Sequence, residues 1–116
     1  MAQRQLNRII PLVLLAAACA GRGFKHVDTA THPPVARVLV EGVYYWTDTV
    51  RVSAGDVVEW VNKDIIDHTV SFEGHGRRLS GFLKAHGTYA VRFDQPGTYL
   101  YYCDPHPSMR AVVIVR

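Results

Sequence analysis

Four side chains with soft or borderline lone pairs stand at spacings that invite a shared ion: His68, Cys103, His106 and Met109. The pair Cys103 and His106 puts a sulfur and an imidazole on one tight loop, "CDPHPSM", which Pro105 and Pro107 stiffen by fixing φ. Met109 follows where the last apolar run begins. A second nitrogen donor has to come from another strand, and "NKDIIDHTV" offers His68, 35 residues before Cys103. Taken singly, each residue has an ordinary reading: a lone Cys is a small buried hydrophobe, a lone His a surface or hydrogen-bonded group, a Met a filler of gaps. Together, two imidazoles, one thiolate and a weak thioether make a trigonal set with an axial Met, a set that suits copper. The sulfurs favour Cu(I) and the imidazoles accept both oxidation states. Held near-trigonal, such a set need not rearrange when one electron arrives. Zinc competes for these donors, but structural zinc uses four Cys/His ligands and catalytic zinc keeps a position for water. One copper ion per chain, cycling between Cu(II) and Cu(I), is the better chemical fit.

The cysteine count supports a protected sulfur. There are two cysteines, and Cys19 lies in the opening stretch "MAQRQLNRIIPLVLLAAACA". Arg4 and Arg8 precede an apolar run from Ile9 to Ala20, the layout of an export signal and too short to span a bilayer comfortably. Ala18-Cys19-Ala20 reads as a small-residue cleavage site, whereas "AAAC" reads as a lipobox that would make Cys19 the lipidated first residue. The small residues favour lipidation, although Ala16 stands where a Leu would strengthen it. Under either outcome Cys103 has no intramolecular partner, and an exported protein must shield a lone thiol from oxidation. A bound metal would do so. The protein is therefore expected outside the cytoplasm, in the periplasm or an equivalent compartment, with membrane attachment if Cys19 is lipidated and none if it is removed with the leader.

The elements that must position these donors are strands. The chain has 116 residues, 48% of them hydrophobic, which suits one domain. Residues 21–35, "GRGFKHVDTATHPPV", show neither strand nor helix period and read as a linker. From residue 36 to 116, short β-rich runs alternate with turn residues: "ARVLVE", "TVRVS", "VVEWVN", "HTVSFE", "TYAVRF", "TYLYYC" and "AVVIV". Over 88–93, Tyr89, Val91 and Phe93 point one way and Thr88, Ala90 and Arg92 the other. Turn residues separate the runs at Ala54-Gly55-Asp56, Gly74-His75-Gly76, His86-Gly87 and Gln95-Pro96-Gly97. The pattern predicts an all-β domain, an antiparallel Greek-key β-sandwich of seven or eight strands. Residues 73–86 are the least regular, and a long loop or a short helical turn is expected there.

The stretches "SAGDVVEWVNKD", "HTVSF", "LSGFL", "PGTYLYYC" and "DPHPSM" make the region from Ala36 to Arg116 resemble the small cupredoxins, the plastocyanin, pseudoazurin and amicyanin group. The two-residue gap between His106 and Met109 is amicyanin-like, since the other loops are longer there. The resemblance implies His68, Cys103, His106 and Met109 as copper ligands and Asn62 as a side chain bracing the Cys-bearing loop. It also implies one-electron transfer between redox partners such as a c-type cytochrome or a dehydrogenase or oxidase. His106 would be the electron port, ringed by Pro105, Pro107 and Phe82. Thr69 departs from the Asn that commonly follows the first histidine, and Ala111 from a common Gly.

Other classes fit poorly. Net charge is +3 over the whole chain and near zero from Gly21 on, with 11 basic against 10 acidic residues, so no nucleic-acid footprint is expected. No nucleophile–base order or phosphate loop argues for an enzyme. His26, His32, His75 and His86 are scattered and read as solvated, and Arg77-Arg78 as a solvated face. A copper carrier or scavenger could use the same four donors, and a metal-free interaction module would use none. The domain reads as a monomer.

Overall fold

The computed structural model describes residues 24–75 and 79–116; the stretch read as an export signal, with Cys19, and the Arg77-Arg78 pair lie outside them. Eight strands follow in chain order: β1 Ala36–Glu41, β2 Tyr44–Trp46, β3 Thr49–Val52, β4 Asp56–Asn62, β5 Ser71–Phe72, β6 Thr88–Phe93, β7 Gly97–Tyr102 and β8 Arg110–Val115. They form two four-stranded sheets, β2-β1-β4-β6 and β3-β8-β7-β5. Most neighbours are antiparallel, but β1 runs parallel to β4 and β3 parallel to β8, so both sheets are mixed. No helix occurs among the described residues, and residues 73–86 contribute turns and one isolated bridge, His68 to Leu83.

Alternation explains the core. In β1, Val38 and Val40 turn inward while Arg37, Leu39 and Glu41 face out. In β6, Tyr89, Val91 and Phe93 are buried as the period-two pattern requires. Between the sheets lie Trp60, Phe72, Phe93 and Tyr101, with rings meeting edge-on or tilted at centroid distances from 5.4 Å (Trp60–Tyr101) to 6.0 Å (Trp60–Phe72). Burying each such side chain contributes roughly 1.5–3 kcal/mol, and the aromatic layer fills the sandwich up to the metal-donor end.

Two features differ from the sequence reading. β2 has no alternating signature, because its exposed residues, Tyr44 and Trp46, are aromatic like the buried Tyr45 between them. The second concerns the segment read as a linker: from Phe24 onward it lies against the domain. Val27 N–H donates to Ala90 O (2.9 Å), Ala90 N–H to His26 Nδ1 (3.0 Å) and Val35 N–H to Val57 O (2.9 Å). The Phe24 ring packs on Phe72 at 4.3 Å and on Tyr99 at 5.3 Å, and the Tyr89 hydroxyl donates to Phe24 O at 2.6 Å. β6 is the outer strand of its sheet, so this strap covers an edge that would otherwise offer unpaired backbone groups.

Candidate metal centre

Cys103 leaves the end of β7, and three backbone hydrogen bonds tie the loop after it into a knot. His106 N–H donates to Cys103 O (3.2 Å), Met109 N–H to His106 O (2.9 Å) and Cys103 N–H to Met109 O (3.2 Å). Pro105 and Pro107 lack N–H groups and so are compatible with a loop whose donors are spent this way. His68 arrives from the other side of the same sheet end. Its backbone makes a two-way bridge with Leu83, 3.2 and 2.8 Å, and its side chain is wholly buried.

The three heteroatoms meet. Cys103 Sγ lies 3.7 Å from His68 Nδ1 and 3.5 Å from His106 Nδ1, and all three lie within 4.8 Å of one another. The imidazole rings stand 4.9 Å apart, tilted by 52°. Cys103 is fully buried and Met109 is 3% exposed, while His106 is half-buried. These S···N separations are long for hydrogen bonds but suit lone pairs aimed at a common point between them. The donor set fits a copper ion: one thiol, two imidazoles, and a thioether on the same closed loop.

Around the sulfur, Thr69 is the organising residue. Its N–H donates to Cys103 Sγ at 3.3 Å, its Oγ1 accepts from Asp104 N–H at 2.8 Å and lies 3.1 Å from Ser71 Oγ, and its carbonyl accepts from the Tyr45 hydroxyl at 2.6 Å. Thr69 thus joins the neighbour of His68 to the neighbour of Cys103. Burial first, and then negative charge at Cys103, push the Tyr45 hydroxyl well above the ordinary tyrosine range. It stays a neutral donor.

Asn62 was expected to brace the Cys-bearing loop. Its contacts lie instead in the His68-bearing loop and on the Leu83 segment bridged to it: Nδ2 donates to Ile66 O and Leu83 O, both at 2.8 Å, and Oδ1 accepts from Asp64 N–H at 2.9 Å. Thr69 makes the Cys-side contacts, with a shorter side chain than the Asn common at that position. Two further residues escaped the sequence reading. Tyr45 sits on the unrecognised β2, and Asp64 lies four residues before His68, its Oδ2 2.7 Å from His68 Nε2. Burial alone raises the Asp64 pKa, but the amides of Gly42 and Val43 and the His68 ring outweigh it and hold the carboxyl below its ordinary value. The i to i+4 spacing of Asp64 and His68 was the one available signal.

The four remaining histidines lie apart from this cluster, which is the only such group among the described residues. His26 accepts from Ala90 N–H and stacks on Tyr89 at 5.9 Å, His32 Nδ1 lies 2.9 Å from Thr31 Oγ1, and His75 meets Phe24 edge-on at 4.9 Å. His86 caps a turn with φ +63° and donates its N–H to Asn62 O. At the donor end of the sandwich Ile65 is 93% exposed, and Ile66, Phe82, Pro105 and Pro107 are exposed with it, beside the Lys84–Asp67 ion pair.

A two-sheet sandwich holding one thiol and two imidazoles at its end defines a small metal-binding β-protein of the cupredoxin class. Comparison with known proteins is specific. Residues 37–116 match the model of the copper binding proteins, plastocyanin/azurin family. Amicyanin-alpha of Methylorubrum extorquens is 38% identical over 83 residues, covering 68% of this chain and 70% of that protein. Amicyanin of Paracoccus versutus is 36% identical over 97 residues, covering 79% and 74%. The crystal structure of the latter superposes with a TM-score of 0.67 at 36% identity, covering 79% of this chain and 92% of that one. Plastocyanin of Scenedesmus fuscus is 35% identical over 80 residues, 59% of this chain and 82% of its own. The chain belongs to the plastocyanin/azurin family of copper-binding proteins, and within it is similar to the amicyanins.

Proposed function

We propose that His68 Nδ1, Cys103 Sγ, His106 Nδ1 and Met109 Sδ hold one copper ion, and that the protein carries single electrons between redox proteins outside the cytoplasm rather than catalysing a reaction. Copper supplies the one-electron couple, Cu(II)/Cu(I). The chain's own residues do the rest. The knot from Cys103 to Met109 and the His68–Leu83 bridge hold three donors within 4.8 Å of one another, and this observation carries the reading. A loop closed by its own backbone bonds keeps the rearrangement on electron transfer small. The Thr69 N–H on Sγ and the full burial of Cys103 keep water and oxidants from the sulfur.

His106 is the only imidazole of the set that reaches the surface, and it serves as the electron port. The exposed Ile65, Ile66, Phe82, Pro105 and Pro107 make an apolar face around that end. A small apolar face suits a partner such as a c-type cytochrome or a dehydrogenase, which must dock briefly and leave. A carrier that hands over copper itself would need donors free to open, whereas here the sulfur is sealed and its loop is closed by its own backbone bonds. Read as an export signal, the opening stretch supports a location outside the cytoplasm, with Cys19 as the lipid attachment point if processing retains it.

The test is the visible and EPR spectrum of the copper-loaded protein from Gly21 on. An intense copper–thiolate absorption that vanishes in Cys103→Ser supports the ligand set, and its absence from the wild type refutes it. Rapid electron exchange with a cytochrome separates shuttle from carrier. Mass spectrometry of the mature N-terminus decides lipidation, since an unmodified amine at Gly21 excludes it.

A further inference from the structure

The carboxylate of Asp64 stands behind His68, on the side away from the sulfur. Its Oδ2 is 2.7 Å from Nε2, while Nδ1 of the same buried ring faces Cys103 Sγ. An ionised carboxylate only accepts, so the single proton of a neutral imidazole sits on Nε2 and leaves the Nδ1 lone pair free. The carboxylate does not swing loose. Gly42 N–H donates to Oδ1 at 2.8 Å and Val43 N–H to Oδ2 at 3.1 Å. Both amides belong to the turn between β1 and β2, where Gly42 and Val43 each have φ +62°. A β-branched residue rarely adopts that conformation, and here it aims two successive N–H groups at one carboxylate. From its own end, Asp64 N–H donates to Asn62 Oδ1. Three N–H donors, two of them from the turn and one from the ring, converge on the carboxylate and keep it charged.

We infer that Asp64 is a positioning residue that fixes His68 as its Nε2–H tautomer and, through its negative charge, biases bound copper toward Cu(II). The inference rests on the copper reading above. With Cu(II) on Nδ1 the His68 Nε2–H would be more acidic, and its bond to the Asp64 carboxylate stronger, than with Cu(I). The carboxylate would therefore stabilise Cu(II) more than Cu(I). Such outer partners of ligand histidines are worth about 10–100-fold in metal affinity.

Asp64→Asn removes the charge at nearly constant shape. With its oxygen in the place of Oδ2 the amide still accepts from Val43 N–H and Nε2–H, but it turns its NH2 group toward Gly42 N–H and carries no charge. We expect Cu(II) affinity to fall about tenfold relative to Cu(I), which raises the reduction potential by roughly 59 mV. Asp64→Glu keeps the charge and should move the potential less than Asp64→Asn. Asp94→Asn removes an exposed carboxylate of the same charge, in the turn between β6 and β7 and paired with Arg92, and should leave the potential in place. A second readout needs no copper: ¹⁵N NMR of the metal-free wild type should show His68 protonated on Nε2. An unmoved potential in Asp64→Asn, an equal shift in Asp94→Asn, or an Nδ1–H tautomer in the metal-free protein overturns the inference. Should Asp64→Asn fail to fold, the wild-type tautomer still decides. Absence of a copper–thiolate band in the wild type would instead defeat the copper reading, and the tautomer measurement would then judge Asp64 on its own.

Discussion

Replacing Thr69 by Val keeps the shape of the side chain and deletes its hydroxyl, so it isolates the clamp between the His68 and Cys103 segments. Two groups lose a partner: Asp104 N–H, which donates to Oγ1 at 2.8 Å, and Ser71 Oγ at 3.1 Å. Each such hydrogen bond contributes about 0.5–1.5 kcal/mol net. We expect about 2 kcal/mol of lost stability in the metal-free protein, or a melting temperature lower by roughly 8–16 °C for a domain of this size. Thr69→Ser retains the hydroxyl and removes one buried methyl, which costs about 1 kcal/mol. Urea unfolding of the metal-free protein, followed by far-ultraviolet circular dichroism, measures both. In the copper-loaded form, Thr69→Val should also shift the visible band while Thr69→Ser preserves it, because only the former frees the Cys103 loop. If Thr69→Val unfolds at the wild-type midpoint, or if Thr69→Ser proves as damaging, the hydroxyl is not the clamp.

Three further outcomes follow from other contacts. Phe24→Ala should cost about 2–3 kcal/mol, since its ring lies 4.3 Å from Phe72 and 5.5 Å from Phe93; thermal melting reads the loss, and a wild-type midpoint would mean the strap adds nothing. Gly87→Ala places a Cβ 2.9 Å from Lys84 O and 3.1 Å from Lys84 N, backbone atoms that cannot step aside. It should destabilise by about 1–3 kcal/mol in the same melts, and unchanged stability would contradict the packing there. Asp64 has a folded-state pKa below its unfolded value of 3.8, so its stabilisation is complete above pH 3.8 and fades as pH falls through the lower, folded value. Acid unfolding of the metal-free protein should therefore begin at higher pH in the wild type's Asp64→Ala variant than in the wild type, and coincident acid transitions would refute that contribution.

Much of the sandwich was legible because strands such as β1 and β6 carry their own burial pattern. Val38 and Val40 in β1, and Tyr89, Val91 and Phe93 in β6, repeat at the strand period, and the turns between runs are marked by Gly, Pro and Asp. β2 was not legible, since "YYW" carries no contrast between its two faces. The strap was not legible either. "GRGFKHVD" has the composition of a linker, and its hold on β6 comes from backbone groups and one Phe that finds a gap at the edge of the core.

At the donor end the division is the same. Residue type and local spacing declared Cys103, His106 and Met109 as one loop and nominated His68 as the distant imidazole, because donor softness belongs to the side chain itself. Partnership does not. Asn62 serves the His68 loop and not the Cys103 loop, Thr69 does the joining, and Asp64 reaches back to a turn 21–22 residues earlier in the chain. A hydrogen bond is made only over about 3 Å, so strand register and the path of the intervening loops choose the partner. The amino-acid order determined which atoms can bind a metal; the tertiary fold decided what stands behind each of them.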